Sequence, residues 1–301
     1  MIFIVGPTAV GKTSLAIRLA EKTNGEIISA DSMQVYKGMD ILSQRTTKKE
    51  EKRICHHLVG FLDPSEEYSA AQFSRRATMI IDEIIQRHKT PIITGGSGLY
   101  IKALIDGLFP SRDKDVLLRE RLHAIAEEKG NMFLYERLSQ SDPDAARRIH
   151  PNDLKRVIRA LEISELEKET KTALRNRTKG IKDKYDIRVF GLIMDRKKLY
   201  AKIGKRVDKM FDAGIVREVK ALLGRKTGMT AKCALGIKQI EGYIAGIYDI
   251  EKAKDLLKKD TRRFAKRQLT WFRADKSIVW IDMDETGENG AIKFIENALK
   301  K

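Results

Sequence analysis

The sequence predicts an α/β fold with a parallel, doubly wound sheet and an all-helical insertion domain. Short apolar runs typical of buried strands alternate with amphipathic segments from the first residue onward. The strand patterns stop near Ser111 and return near Ile187, with helical periodicity between them. We therefore expect a catalytic core over residues 1–112 and 185–301 and a helical insertion domain over residues 113–184.

Length and composition restrict the class of protein. The chain has 301 residues, of which 42% are hydrophobic and 34% charged, as is typical of a soluble globular protein. No apolar run approaches the ~20 residues that a membrane helix needs, and the first residues show no export signal. Cys55 and Cys233 are too few for a disulfide framework or a zinc site. We expect a cytoplasmic monomer with no membrane partner.

The net charge of +17 is concentrated in one segment. Residues 186–280 hold 24 basic and 11 acidic residues. A concentrated positive charge favours a polyanionic partner such as a nucleic acid. A merely solubilising surface is the alternative.

The first fourteen residues contain a phosphate-binding motif. Met1–Val5 has the apolar pattern of a strand, and helical spacing begins at Leu15. The residues between them match G-x-x-x-x-G-K-[ST] without a mismatch, namely Gly6, Pro7, Thr8, Ala9, Val10, Gly11, Lys12 and Thr13. In such a loop the backbone N–H groups and the helix N-terminus surround an anion, the lysine adds a charge and the threonine binds Mg²⁺ or phosphate. This motif predicts a P-loop NTPase-like core; an ordinary strand-to-helix turn is the alternative.

A second strand is predicted over Glu26–Ala30, and Asp31 stands where it ends. The carboxyl ends of parallel strands carry the chemistry of α/β proteins, so Asp31 is placed to reach the ligand of the phosphate loop. A helix N-cap role is equally compatible with its residue type. For the neighbouring pair His56 and His57 we favour a structural role over metal binding.

Residues 68–88 predict an amphipathic helix. Met79–Glu83 within it imitates the strand with a terminal Asp that follows phosphate loops in ATPases, but its apolar residues recur at helical intervals. The next strand is therefore predicted over Pro91–Thr94, with the glycines of Gly95–Gly98 turning it into a helix from Leu99.

The remaining elements are predicted from periodicity. Helices are expected over Asp115–Lys129, Met132–Gln140, Pro143–Ile149, Asp153–Lys168, Arg196–Leu223, Ile250–Arg273 and Ala291–Leu299. Strands are expected over Ile187–Met194 and Ile278–Ile281. The polar, basic run Lys168–Lys184 shows no periodicity and is interpreted as a linker-like segment.

Five segments together resemble the tRNA dimethylallyltransferase (tRNA isopentenyltransferase) family, in family order and over essentially the whole chain. They are Gly6–Thr13, Asp31–Tyr36, Thr94–Tyr100, Ile149–Asp153 and Ala265–Phe272. The chain resembles the bacterial-type members, which lack the zinc-finger tail of eukaryotic relatives. The resemblance implies transfer of a dimethylallyl group from dimethylallyl diphosphate to the exocyclic N6 amine of the adenine immediately 3′ of the anticodon in tRNA.

The resemblance also implies roles for single residues. Thr8, Lys12 and Thr13 would hold the diphosphate together with Mg²⁺, Arg206 would bind the same diphosphate, and Asp31 would be the general base. Residues that would lie near the extruded base or touch the tRNA anticodon stem-loop are Asp31, Ser32, Met33, Gln34, Ser97, Arg119, Lys155, Arg156, Val157, Ile158, Arg159, Leu235, Gly236 and Lys238.

Three other functions are considered. A free-nucleotide (adenylate) isopentenyltransferase would share the loop and Asp31 but would not need the helical insertion or the basic segment. A P-loop kinase would use ATP in the same loop. A non-catalytic RNA-binding protein would use the loop only to bind nucleotide.

Overall fold

The computed structural model describes residues 1–108, 115–176 and 178–300. These residues form two compact units, which we call the core unit (Met1–Ile105 with Lys184–Lys301) and the helical unit (Asp106–Asp183). The predicted domain boundary at residues 112 and 113 lies outside the described residues. Among the described residues, no helix combines the length and the apolar composition needed to span a membrane.

The core unit alternates strands and helices. Its first part contains β1 (Ile2–Val5), α1 (Lys12–Lys22), β2 (Gly25–Ser29), α2 (Lys48–Arg53), β3 (His56–His57), α3 (Ala70–Gln86), β4 (Thr90–Gly95) and α4 (Gly98–Ile105). The helical unit contains α5 (Val116–Lys129), α6 (Asn131–Ser141), α7 (Pro143–Arg148), α8 (Leu154–Glu167) and α9 (Lys171–Asn176). The core unit resumes with β5 (Arg188–Ile193), α10 (Arg196–Asp212), α11 (Ile215–Leu223), α12 (Met229–Lys232), α13 (Ile237–Ile244), α14 (Ile250–Arg273), β6 (Val279–Asp282) and α15 (Met283–Leu299).

Within the described part of the chain, the strands form one parallel sheet in the order β3-β2-β4-β1-β5-β6. Because all strands point the same way, the loops that follow β1, β2 and β4 meet at one edge. β1 lies between β4 and β5, so the loop after it opens at the point where the strand order reverses, the usual ligand position in such sheets. The predicted α/β fold class is confirmed.

Apolar side chains of α1 pack against the central strands of the sheet. All four residues of β1 are buried, and Leu15 and Leu19 of α1 belong to the same apolar cluster as Ile4 and Ile92. Residues 79–83 lie inside α3, so the interpretation of that stretch as a helix is confirmed.

Several predicted elements need correction. The helix expected over 196–223 is two helices, separated at Gly214, whose φ of 93° favours glycine. The run 168–184 contains α9 and a 3₁₀ turn at Ile181–Asp183. α15 begins at Met283 and is interrupted at Gly287. The elements α2, β3, α12 and α13 were not predicted; α2, β3 and α12 are too short to show a clear period.

Candidate active site

The loop between β1 and α1 depends on its glycines. Gly6 has a φ of 140°, and a Cβ there would lie 2.7 Å from the backbone oxygen of Leu192 on β5. Gly11, with a φ of 110°, is the N-cap of α1. This conformation places the positive N-terminal end of α1 at the loop, where it can attract an anion. The local geometry is that of an anion site.

Lys12 has little solvent around its charge. Its Nζ donates a 2.7 Å hydrogen bond to the backbone oxygen of Pro7, across the loop. Burial, with a smaller contribution from the Arg206 charge, lowers the pKa of Lys12 to about 7, while Asp31 acts in the opposite direction. An anion beside Lys12 would reverse this effect, because it would stabilise the ammonium form.

Arg206, at the middle of α10, reaches the loop from another part of the chain. Its Nη1 donates to Thr8 Oγ1 at 3.0 Å. Burial lowers the pKa of the guanidinium, which nevertheless stays charged. The residues predicted to bind the diphosphate from two distant segments therefore lie together.

Asp31 lies directly after β2, at the same edge of the sheet. Its Oδ1 accepts a 2.9 Å hydrogen bond from the backbone N–H of Met33. Burial raises the pKa of Asp31, and the Met33 N–H and the Lys12 charge partly offset this rise. The side chain lines the same cavity as Lys12 and Arg206. Of the two alternatives left open for Asp31, the helix N-cap is wrong, because a turn and not a helix follows it, and the Met33 N–H bond belongs to that turn.

The cavity has a volume of about 580 Å³ and is lined by both polar and apolar side chains. The polar ones include Thr8, Lys12, Thr13, Asp31 and Arg206. The apolar ones, which we call the apolar wall, include Leu42, Val207, Met210, Leu257 and Phe264. A ligand that combines an anionic group with a small apolar group matches this lining.

A second loop, between β4 and α4, borders Asp31. Ser97 Oγ accepts a hydrogen bond from the backbone N–H of Ser32 at 3.0 Å, and the Ser97 N–H donates to the Ala30 oxygen at 3.2 Å. Gln34 accepts from Ser29 Oγ at 2.8 Å. Ser32, Met33, Gln34 and Ser97 all line the cavity, as expected for residues beside a bound base.

Comparison with known proteins assigns the family. The sequence model of the family described as IPP transferase matches residues 34–275. The chain belongs to the IPP transferase family.

Similar proteins extend this assignment to the full length. The tRNA dimethylallyltransferase of Carboxydothermus hydrogenoformans is 48% identical, covering 99% of this chain and 96% of that protein. The enzyme of the same name from Halothermothrix orenii is 44% identical, covering 100% and 92%. The crystal structure of the tRNA isopentenylpyrophosphate transferase of Bacillus halodurans is 40% identical, with a TM-score of 0.73 and coverage of 99% and 96%. The family resemblance seen in the sequence is confirmed.

One buried residue of this IPP transferase was not predicted as part of the site. Gln268 of α14 accepts from the Thr8 N–H at 2.8 Å and donates to the Gly96 oxygen at 3.0 Å. The sequence does contain a signal for it. Gln268 continues the apolar face of α14, three residues after Ala265 and four before Phe272, and a buried polar residue on such a face needs partners.

The predicted tRNA-contacting residues of the helical unit divide into two groups. Lys155 and Arg156 are exposed. The side chains of Val157 and Ile158 are 0% and 3% exposed, in the apolar core of that unit, and a contact of these two positions with tRNA stays a prediction. They follow Arg156 in sequence, but the helical turn directs them inward.

Arg119 and Arg159 have an intramolecular role. Both donate to the fully buried carboxylate of Glu162, at 2.7 and 2.6 Å, and Arg119 does so through two nitrogens. Burial raises the pKa of Glu162, but the hydrogen bonds from Arg119 and Arg159 outweigh this and hold it below its usual value. Their guanidinium groups therefore stabilise the helical unit.

The predicted contacts of the core unit are also mixed. Leu235 lines the cavity, and Lys238 is exposed on α13. Gly236 between them is buried, and its φ of 111° favours glycine. The backbone conformation thus requires a glycine at 236, and its contact with tRNA stays a prediction.

The donor set for Mg²⁺ fits an ion carried by a diphosphate. Thr13, at the first turn of α1, lines the cavity and offers one hydroxyl oxygen. Mg²⁺ takes six oxygen ligands and commonly obtains several from substrate phosphates and water. The residues at the loop are compatible with this arrangement.

His57 lies in a cluster of potential metal-ligating side chains. His57 Nε2 lies 2.7 Å from Glu26 Oε2 and 3.4 Å from Cys55 Sγ, so three metal-ligating side chains meet among the described residues. Arg87 and Lys89 also donate to Glu26, each at 2.8 Å. The carboxylate thus already has cationic partners, in agreement with a structural role for His57.

Proposed function

We propose that this chain transfers a dimethylallyl group from dimethylallyl diphosphate to the N6 amine of the adenine immediately 3′ of the anticodon in tRNA, releasing diphosphate. The main support for this proposal is that Asp31 lines the same cavity as the phosphate loop and Arg206. The names of the similar proteins support the same reaction.

The donor half of the reaction needs stabilisation of a leaving anion. The bond between the allylic carbon and the diphosphate oxygen breaks, and negative charge accumulates on the diphosphate. Lys12, Arg206 and the N-terminus of α1 supply fixed positive charge at the loop. The apolar wall accommodates the five-carbon chain and excludes water, which would otherwise hydrolyse the allylic centre.

The acceptor half needs a place for a proton. The adenine N6 attacks the allylic carbon, an N–C bond forms, and one N6 proton passes to the Asp31 carboxylate. A positioned base of this kind contributes about 10²–10⁴-fold. The raised pKa of Asp31 makes its carboxylate a better proton acceptor than one in water.

The acceptor adenine must leave its stack to enter the cavity. Enzymes that act on bases extrude the target nucleotide, and RNA loops present bases that can be splayed out. Ser32, Met33, Gln34 and Ser97 would surround the base, and the positive segment 186–280 supports a polyanionic partner.

Thr13 would hold Mg²⁺ together with the diphosphate oxygens. Bound there, the ion would neutralise part of the charge of the leaving group. A cytoplasmic location and a monomeric state stay predictions.

The test compares two acceptors, tRNA and AMP, and two donors, dimethylallyl diphosphate and ATP. Purified protein is incubated with dimethylallyl diphosphate or, in a parallel reaction, with ATP, together with either a tRNA anticodon stem-loop or AMP, and the nucleosides and nucleotides are analysed by mass spectrometry. We expect a prenylated adenosine at the position 3′ of the anticodon and little product from AMP. Efficient AMP prenylation would overturn the tRNA assignment, and turnover of ATP with transfer of its phosphate would support a kinase.

A further inference from the structure

Gln268 joins two loops that are far apart in sequence. Its side chain is 6% exposed on α14, and its two amide atoms bond to Thr8 and Gly96, which lie 260 and 172 residues away. The orientation of the amide is determined, because the reverse orientation would place NH₂ against the Thr8 N–H and the oxygen against the Gly96 oxygen. Both hydrogen bonds depend on this one rotamer.

The two loops carry different halves of the proposed reaction. On the proposed diphosphate side, Thr8 Oγ1 accepts a hydrogen bond from Arg206. Gly96 is followed by Ser97, whose hydroxyl holds the backbone of Ser32 beside Asp31. Any shift of one loop against the other would change the distance between the leaving group and the base.

The side chain of Gln268 packs tightly against the backbone of Gly96. A Cβ on Gly96 would lie 2.0 Å from Gln268 Nε2, whereas the next group outside this side chain, the Gly6 oxygen, would be 3.6 Å away. One turn further along α14, Trp271 approaches Gly98 so closely that a Cβ there would lie 2.2 Å from its ring. α14 therefore lies directly on the β4–α4 loop, and Gly96 is required by the amide of Gln268.

We propose that Gln268 is a positioning residue that sets the separation between the phosphate loop and the acceptor-side loop. Gln268 lines the cavity, but its amide oxygen and nitrogen are both bonded to the two loops, so it acts through Thr8 and Gly96. The expected loss of kcat/KM rests on the proposed function, whereas the bridge between the two loops does not.

Gln268→Glu provides a readout that a merely structural role would not produce. The ionised carboxylate still accepts from the Thr8 N–H but faces the Gly96 oxygen with a second acceptor. Protonation of the carboxyl restores a donor. We expect kcat/KM to fall by roughly ten- to a hundredfold, the range for an unsatisfied buried polar group. Relative to wild type, the defect should shrink as the pH is lowered from about 8.5 to about 5.5, across the titration of a buried carboxyl.

Two further variants serve as controls. Gln268→Met keeps the length of the side chain, removes both hydrogen bonds and should be defective at every pH. Gln86→Glu makes the same chemical change at an exposed position of α3 and should behave as wild type. A wild-type rate for Gln268→Met, or a Gln268→Glu defect that does not change with pH, would overturn the proposal.

Amide hydrogen exchange tests the bridge without reference to the reaction. In Gln268→Met, peptides that contain Thr8 and peptides that cover 95–98 should exchange faster together, while Gln86→Glu leaves both unchanged. Faster exchange in only one loop, or in neither, would contradict the bridge. If wild type does not prenylate tRNA while both loops still respond, the proposed function fails and the bridge stands.

Discussion

Arg206 and Thr8 are 198 residues apart in sequence, yet Arg206 Nη1 donates to Thr8 Oγ1 at 3.0 Å. The hydrogen bond brings the middle of α10 to the phosphate loop and converts two isolated sequence features into one anion site. Its position implies that the guanidinium is already oriented before a diphosphate arrives, which reduces the entropic cost of binding.

Arg206→Lys should therefore be a damaging change despite the retained charge. A lysine cannot reproduce the planar fork of donors that binds Thr8 and an oxyanion together. We expect kcat/KM for dimethylallyl diphosphate to fall by about 10²-fold, the effect of losing one oxyanion donor. Steady-state kinetics with the tRNA stem-loop saturating measures this. A nearly normal rate would show that charge alone suffices.

Asp31→Asn should abolish most of the transfer without unfolding the protein. The amide keeps the size of the side chain but cannot take the N6 proton, so kcat should fall by about 10²–10⁴-fold. Because burial disfavours the charged form of Asp31, the variant should melt no lower than wild type. Single-turnover rates and thermal melts are the measurements. Turnover close to wild type would exclude Asp31 as the base.

Lys12→Met should stabilise the free protein in a pH-dependent manner. The pKa of Lys12 is about 7 in the folded protein, whereas the ordinary pKa of a lysine side chain is 10.5, so the unfolded chain holds this proton more tightly. The charged form thus destabilises the fold fully below about pH 7, and this penalty disappears as the pH rises to about 10.5. The melting temperature of the variant should exceed that of wild type most at pH 7 or below.

The same variant should bind pyrophosphate weakly. In wild type, calorimetry in buffers of different ionisation enthalpy should reveal proton uptake on binding above about pH 7, since the bound anion favours the ammonium form. Proton uptake of equal size in Lys12→Met would assign it to another group.

Glu26→Gln should destabilise the protein by about 1–3 kcal/mol at neutral pH, the range for disrupting a buried polar cluster. Burial acts to raise the pKa of Glu26, but hydrogen bonds from Lys89, His57 and Arg87 lower it to about 2. The carboxylate therefore stabilises the fold above about pH 4.5, and this stabilisation is lost as the pH falls toward 2. Urea unfolding of both proteins should converge over that range. A constant difference would assign the effect to packing.

Lys155→Ala and Arg156→Ala should weaken tRNA binding mainly at low salt. Each exposed cation that neutralises one phosphate contributes about 1 to the slope of log K against log salt. Arg147→Ala, an exposed change on α7 of the same unit, is the matched control and should leave the slope unchanged. Equal slopes in all three variants would remove α8 from the RNA-binding surface.

Arg119→Met should act on stability instead. Its removal leaves the buried carboxylate of Glu162 with fewer donors, which costs about 1–3 kcal/mol. Thermal melting measures this cost, and tRNA affinity of the folded variant measures any direct contact. A normal melting temperature with reduced affinity would return Arg119 to the tRNA-binding set.

Periodicity determined the elements that are long or fully buried. β1, α3 and α14 follow from local patterns, because a buried strand or an amphipathic helix must repeat its apolar residues at its own period. Short elements such as β3 lack that repeat. The break at Gly214 was missed because the apolar spacing continues across it, while the turn depends on a single positive φ.

The phosphate loop and the position of Asp31 at a strand end could be predicted without coordinates, since both follow from local residue types. The family resemblance already implied that Arg206 binds the diphosphate beside Thr8. The packed chain adds that Gln268 bonds to Thr8 and Gly96, and that Arg119 joins the local Arg159–Glu162 pair of α8. Local patterns specify which face of a helix is buried, but they do not specify its neighbour. Partners that lie hundreds of residues apart become visible only once the chain has packed.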